Sequence, residues 1–343
     1  MNGKINYFTG GTTGKPKAIS YNASRWKRSV SNTLSILNIH GINSYSKVIV
    51  GFPFSPWAIG NVFTEALLRC GAEVFPLGLS IKQEGFFESI LNESITHICA
   101  PPRTLISIQR KIQGYNKKIE LQKVFVAGEE LTEKQRRNLK DFWKGEVVNI
   151  YGKAELDTIG FERNGNSFFT LLDKFNYKLR TSHNFNIDLA TGLSGELLIQ
   201  EPGKPYWKRT GDVIEVVTQE RLFNNDTWGI KIKHRIDDTI TLSCGANVSS
   251  YQVYKLKKNF YFIEYVQIIF HDIKGDDYID INLVIDGEKE IDKEEICNCF
   301  INSSVDIYDS FSQGMIHKIN VNVIEEEDLI KTKRDKIKTL IKI

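Results

Sequence analysis

No stretch of the chain approaches the run of about 20 apolar residues that a membrane-spanning helix requires. The start, Met1-Asn2-Gly3-Lys4-Ile5, lacks the apolar segment of a signal peptide. Cysteine is scarce and odd in number: the five are Cys70, Cys99, Cys244, Cys297 and Cys299, with no Cys-x-x-Cys pair. That pattern argues against a disulfide framework and against a zinc site. Most of these thiols are expected to be small buried apolar groups in a reducing compartment, which makes the cytoplasm the expected location. Charge of one sign is not in excess either. The 45 basic and 42 acidic residues leave a net charge of +3, too balanced to argue for nucleic acid as a main partner. Acid–lysine clusters such as Asp292-Lys293-Glu294-Glu295 read as solvated helix faces. Internal repeats and low-complexity tracts are lacking too.

What remains is an ordinary globular balance, 41% hydrophobic and 25% charged, over 343 residues, long enough for two domains. The first two-thirds alternates β-branched apolar runs with helical patterns, which predicts a layered α/β domain with β-sheet flanked by helices. Strands are predicted at residues 5–8, 48–50, 73–75, 96–100, 123–127 and 147–151, the last ending in a turn at Gly152. Helices are predicted from Ala23, over 61–70, and after Thr132, where Thr132-Glu133-Lys134-Gln135 fits a capping box. Hairpin-like strands follow at 196–199 and 213–217 around a Pro/Gly loop. A smaller α+β unit then shows strands near 265–270 and 279–285 and a helix over 292–302. The charged turn Arg235-Ile236-Asp237-Asp238 divides the chain into 1–236 and 237–343.

The most informative segment is Thr9-Gly10-Gly11-Thr12-Thr13-Gly14-Lys15-Pro16-Lys17. Its glycines let the backbone turn N–H groups towards an anion, its threonines add donors, and Lys15 and Lys17 add charge. Such a mix also suits a surface turn, but its place between a strand and a helix favours a polyphosphate cradle. A Walker A loop would need Gly at Thr9 and Ser or Thr at Pro16, so that motif is excluded. The dinucleotide fingerprint Gly-x-Gly-x-x-Gly is absent as well.

The segment resembles the phosphate-binding motif of the adenylate-forming (AMP-binding) superfamily, which includes acyl-CoA synthetases, peptide-synthetase adenylation domains and luciferases. Further resemblances follow in the family's order. Gly128-Glu129-Glu130-Leu131 is similar to the segment lining the adenine pocket. Tyr151-Gly152-Lys153-Ala154-Glu155 resembles the aromatic-Gly-x-Thr-Glu motif, with Ala154 in place of Thr. There the ring stacks on adenine and the carboxylate, here Glu155, holds Mg²⁺, a cation that prefers hard oxygen ligands. Tyr206-Trp207-Lys208-Arg209-Thr210-Gly211-Asp212 resembles Tyr-x-x-Thr-Gly-Asp, whose carboxylate, here Asp212, accepts hydrogen bonds from the ribose. His234-Arg235-Ile236-Asp237-Asp238 and Gly245-Ala246-Asn247-Val248 resemble the hinge region, with Arg235 at the ribose and Asp237 as the pivot. Ile330-Lys331-Thr332-Lys333-Arg334-Asp335-Lys336 resembles Pro-Lys-Thr-x-x-Gly-Lys, with Ile330 and Asp335 replacing Pro and Gly. The resemblance implies Lys336, Glu155 and Thr9 as the catalytic set. Trp57, with Phe125 and Tyr151, is expected to line the acid's pocket.

The implied activity is attack of a small carboxylic acid on ATP, giving an acyl-adenylate and pyrophosphate, and then transfer to a thiol. Coenzyme A is the first expectation for that thiol, and the phosphopantetheine arm of a carrier protein is the alternative. A non-catalytic nucleotide-binding homologue is a third reading, suggested by Ala154 and Asp335. Family members carry a subdomain before the glycine loop, which here begins at residue 9. A compact enzyme, a second chain supplying that part, and lost activity are all compatible with this. Homo-oligomerisation is left open.

Overall fold

The computed structural model describes residues 3–8, 17–82, 85, 93–112, 119–163, 167–222, 225–236, 239–273, 276–287, 289–332 and 336–343. Strands β1 (Lys4–Phe8) and β2 (Ala18–Asn22) pair antiparallel, with Phe8 opposite Ala18. Helix α1 (Ala23–Ile39) begins at once, because the Asn22 side chain accepts from the Arg25 N–H and caps the first turn.

A parallel run follows: β3 (Lys47–Val50), α2 (Ile59–Arg69), β4 (Glu73–Phe75), β5 (His97–Cys99), α3 (Pro102–Ile112), β6 (Lys123–Ala127), α4 (Glu133–Trp143) and β7 (Glu146–Lys153). The strands lie in the order β4-β3-β5-β6-β7. Alternation along β6 shows why both faces are covered. Phe125 and Ala127 pack with α1 and α2, whereas Val124 and Val126 pack with α3 and α4 around Leu139 and Trp143. The predicted capping box of α4 is present in both halves, Thr132 with Gln135.

The sheet continues antiparallel through β8 (Asp157–Glu162), β9 (Phe169–Leu171), β10 (Asn176–Arg180), β11 (Asn186–Ile187), β12 (Ser194–Gln200), β13 (Lys208–Leu222) and β14 (Asn225–Arg235). Beyond β7 the order is β8-β9-β14-β13-β12-β10-β11, giving twelve strands in all. From Thr239 on, strands pair only with one another among the described residues. A hairpin of β15 (Thr239–Thr241) and β16 (Asn247–Ser249) leads into α5 (Ser250–Asn259), β17 (Ile263–Ile273), β18 (Asp276–Ile285), α6 (Lys293–Ile301), α7 (Val305–Ser312), β19 (Ile316–Val323) and β20 (Leu340–Lys342). The four-stranded order is β19-β18-β17-β20, and Leu256, Ile268, Ile281 and Phe300 lie in its own apolar cluster.

The layered α/β architecture is as expected, with differences in detail. β2 was not predicted; it is only five residues long, although Ile19 and Tyr21 alternate in burial with Ala18, Ser20 and Asn22. β7 runs past Gly152 to Lys153 instead of turning there. Gly152 stands opposite Thr158, where an added Cβ would meet the Asp157 carbonyl oxygen at 2.9 Å. Its glycine permits close strand approach and does not terminate the strand. Only Cys99 is buried; the other four thiols are partly exposed. Phe125 is a core residue between the rings of His40 and His97, so it lines no open pocket. No described helix is long and apolar enough to cross a membrane.

Candidate active site

In a parallel sheet every strand ends on the same edge, and ligands bind beyond those carboxyl ends. β6 ends there at Gly128, and β7 at Tyr151 to Lys153. Gly128 has a φ of +90°, a conformation that favours glycine, and its carbonyl accepts from Lys336 Nζ at 2.6 Å. Lys336 arrives from the C-terminal sheet on a chain reversal. Thr332 N donates to the Lys336 carbonyl at 2.7 Å, and Lys336 N donates to Thr332 Oγ1 at 3.2 Å. The reversal is fastened at its base by Gln267 of β17. Its Nε2 donates to the carbonyls of Ile330 and Lys338 at 2.9 and 2.7 Å, and its Oε1 accepts from Ile330 N at 3.1 Å.

Asp212 reaches the same region through a bulge in β13. Glu196 faces Val213 and Leu198 faces Arg209, so Thr210, Gly211 and Asp212 stand against Leu197 alone. Gly211 takes a φ of +73°. The displaced backbone groups find side-chain partners: Gly211 N donates to Glu196 Oε1 at 3.1 Å and Asp212 N to Thr210 Oγ1 at 3.1 Å. Thr210 Oγ1 in turn donates to the Leu197 carbonyl at 2.8 Å, and Arg209 Nε reaches both Glu196 oxygens at 3.0 and 2.8 Å.

The Asp212 carboxylate, in a residue only 4% exposed, gathers one hydrogen-bond donor and two cations. Tyr151 OH donates at 2.6 Å, Lys153 Nζ lies at 3.3 Å and Arg235 Nε at 3.5 Å. Arg235 is delivered by pairing, since it faces Asp212 across β13 and β14. Burial, and then the Asp212 charge, push the Tyr151 phenol well above its ordinary range. Arg235 N donates to Ser250 Oγ at 2.9 Å, which ties the end of β14 to the start of α5.

Glu155 sits exposed in the turn between β7 and β8, and its charge is felt by the Tyr21 phenol. Among the described residues no hydrogen bond or ion pair occupies its carboxylate. No group of three or more metal-ligating side chains occurs among them either. One free carboxylate beside a polyphosphate fits Mg²⁺, which keeps several waters and takes few protein ligands.

Glu129 accepts from Arg103 N at 2.9 Å and so caps the start of α3 behind Pro102. Trp57 is half-buried in the segment between β3 and α2, which is fastened to β1 by Phe8 N donating to the Pro56 carbonyl at 2.9 Å. Thr9, Gly10, Gly11, Thr12, Thr13, Gly14 and Lys15, with Asp237, lie outside the described residues. The flanks of that loop are described, and Phe8 pairs with Ala18.

Tyr151, Asp212 and Arg235 are thus brought together, and Lys336 meets Gly128 on the carboxyl edge. Lys153 and Gln267 were not singled out from the sequence. Lys153 carried a signal, because two positions beyond Tyr151 on a strand lies the same face. Gln267 carried none beyond a polar residue within a predicted strand.

The comparisons agree with this architecture. Residues 5–170 match the family model described as AMP-binding enzyme. Among solved structures, the amide bond synthetase McbA from Marinactinospora thermotolerans is similar at 15% identity and a TM-score of 0.64, over 97% of this chain and 67% of that one. A 2-hydroxyisobutyryl-CoA ligase in its postadenylation state, in complex with 2-HIB-AMP, is similar at 14% and 0.67, over 99% and 73%. ATP-bound MatB from Rhodopseudomonas palustris is similar at 14% and 0.64, over 97% and 66%. No curated protein sequence matches the chain. The fold is shared with these three solved structures. The match to the AMP-binding family lies within residues 5–170, a little under half of the chain, and the likeness to the solved structures extends over the whole of it as a shared fold.

Proposed function

We propose that the chain activates a small carboxylic acid with ATP and then transfers the acyl group to a thiol, coenzyme A first among the candidates. The observation that carries this reading is the reach of Lys336 Nζ to the Gly128 carbonyl, on the edge where Tyr151 and Lys153 hold Asp212. In the first step a carboxylate oxygen forms a bond to the α-phosphorus, the bond to the bridging oxygen breaks, and pyrophosphate leaves with that electron pair. An anion must approach a polyanion, so preorganised positive charge lowers the barrier. Lys336 supplies such a charge beside the reacting carboxylate and α-phosphate. Asp212 orients the ribose, with Tyr151 and Arg235 holding its carboxylate in place. Glu129, Gly128 and Gly152 line the adenine side, and Trp57 the acid side. Thr9 to Lys17 cradle the β- and γ-phosphates. Glu155 would hold Mg²⁺, which would supply further charge neutralisation. In the second step the thiolate attacks the acyl carbon and AMP departs.

Residues 237–343 form the small mobile domain in this reading, turning about Asp237 so that Lys336 withdraws before the thiol enters. The separate apolar cluster after Thr239 supports that division.

ATP–pyrophosphate exchange across a panel of acids tests the proposal. At least one acid gives exchange, and Lys336→Ala lowers it by about 10²–10³ while ATP binding persists. Exchange with no acid, alongside measurable ATP binding, would favour the non-catalytic reading. Thioester formation with free coenzyme A, against a phosphopantetheinylated carrier, separates the two acceptors.

A further inference from the structure

A helix packed on a sheet ordinarily buries an apolar stripe. α1 buries one, through Val30, Ile36 and Leu37, but beside it runs a second stripe that is polar. Arg25, Arg28, Asn32 and Thr33 recur at the helical spacing and face one short stretch, the turn between β7 and β8 and its exit. The Ala154 carbonyl accepts from Arg25 Nη2 at 2.8 Å and from Tyr21 OH at 3.0 Å. Asp157, its side chain 1% exposed, meets Arg28 Nη2 at 3.1 Å and Arg25 Nη2 at 3.5 Å. Arg28 Nη1 also reaches Glu201 Oε2 at 2.6 Å, and Lys208 joins Glu201. Thr33 Oγ1 lies 3.0 Å from Thr158 Oγ1, and Asn32 Nδ2 donates to the Thr158 carbonyl at 3.4 Å.

This grip holds a strained element. Asp157 has a φ of +68°, in the left-handed region that a residue with a side chain seldom occupies. A buried ion pair is weak evidence for stability, because desolvation offsets most of the attraction. What four polar side chains can provide is geometry: the three residues of the turn, Ala154 to Leu156, are free of strand pairing, and Glu155 stands among them. The same helix start fixes β2, whose first residue, Ala18, lies just beyond the glycine-rich loop. Tyr21 of β2 and Arg25 of α1 share one acceptor, Ala154, next to Glu155.

We infer that Arg25, Arg28 and Asp157 are positioning residues that lock the turn bearing Glu155 to β2 and the start of α1, so that the carboxylate is held in fixed register to meet a Mg²⁺-polyphosphate. This rests on the functional reading above. None of the three touches the nucleotide; they act through the backbone of residues 154–156.

The test compares Arg28→Gln and Asp157→Asn with a matched control, Arg136→Gln. Arg136 pairs with the buried Glu162 at 2.6 Å, at the opposite end of β8 from Asp157. ATP affinity is measured by calorimetry with and without Mg²⁺, at temperatures where urea unfolding shows each variant folded. R28Q and D157N should lose about 10- to 100-fold of the Mg²⁺-dependent gain in affinity and keep the Mg²⁺-free affinity, with R28K restoring most of the loss. R136Q should keep the gain despite a similar loss of stability. Hydrogen exchange on the free chain gives a second measure that needs no ligand: the amides of 154–157 should lose protection in R28Q and D157N but not in R136Q. A full Mg²⁺ gain in folded D157N and R28Q, or an equal loss in R136Q, overturns the inference. Wild-type chain that binds no ATP at all removes the functional reading, and the inference with it, a result told apart by the unsubstituted protein.

Discussion

Asp212 shows how one residue can be singled out by a motif while its setting stays illegible. Its Thr-Gly-Asp motif and its order after Tyr151 identified it, whereas the bulge that presents it is written in residues that also spell an ordinary turn. Lys153 and Arg235 converge on it from strands far apart in sequence, and no local pattern encodes such a meeting. Truncating Asp212 to Ala leaves both cations without that carboxylate, with an expected stability loss of about 3 kcal/mol by urea unfolding. Tyr151→Phe removes only the 2.6 Å hydrogen bond, with an expected cost of about 1–3 kcal/mol. Two histidines make a separate prediction. Burial, and then the Lys123 charge, lower both His40 and His97 to about 4. Their folded pKa lies below the unfolded value, so the stability they contribute is complete above about pH 6.5 and is lost as pH falls towards 4. Each contributes a slope of up to about 1.4 kcal/mol per pH unit in that window. Unfolding free energies at pH 7 and pH 5 should show the decline, and His40→Leu should reduce it by the share of one histidine. A flat profile would mean that these rings are not held neutral.

Among the elements, those driven by local rules were the readable ones. β4 and β6 have the predicted bounds, and α4 begins at its capping box. β2 escaped because its alternation, Ile19 and Tyr21 against Ser20 and Asn22, spans only five residues and runs straight into α1, with no β-branched run to mark it. The β7–β8 hairpin was misjudged at Gly152, since glycine marks both turns and close strand approach. A Gly152→Ala substitution tests that distinction. Its Cβ meets backbone at 2.9 and 3.3 Å, so the hairpin must shift, with an expected cost of about 1–3 kcal/mol and loss of exchange activity. If the substitution is neutral in both unfolding and exchange, close approach is not the reason for that glycine. The polar stripe of α1 was visible in the sequence only as spacing, because a stripe of Arg, Asn and Thr reads equally as a solvated face.

For the whole molecule, the C-terminal sheet meets the large one through charged side chains rather than an apolar face. Arg103 pairs with Glu326 at 3.4 Å, Arg110 with Glu327 at 3.4 Å, and Arg137 with Asp286 at 2.5 Å, while Lys257 joins Glu130. A cavity of about 800 Å³ remains between α3, α4 and the ends of β17, β18 and β19. Exposed pairs of this kind contribute about 0–1 kcal/mol each and are screened by salt. Such contacts suit the proposed rotation of residues 237–343. Raising ionic strength from about 0.05 to about 0.5 M should therefore lower the adenylation rate more than ATP affinity, because Lys336 is delivered by that interface. Equal loss of both would locate the salt effect at the nucleotide itself.

The central claim is convergence on one nucleotide, and a crystal structure of the chain grown with ATP and Mg²⁺ tests it most directly. The account predicts ribose hydroxyls on Asp212, Mg²⁺ between Glu155 and the phosphates, and Lys336 Nζ moved from the Gly128 carbonyl to the α-phosphate. A nucleotide bound away from the carboxyl edge of β6 and β7, with Asp212 still closed by Tyr151 and Lys153, would contradict it.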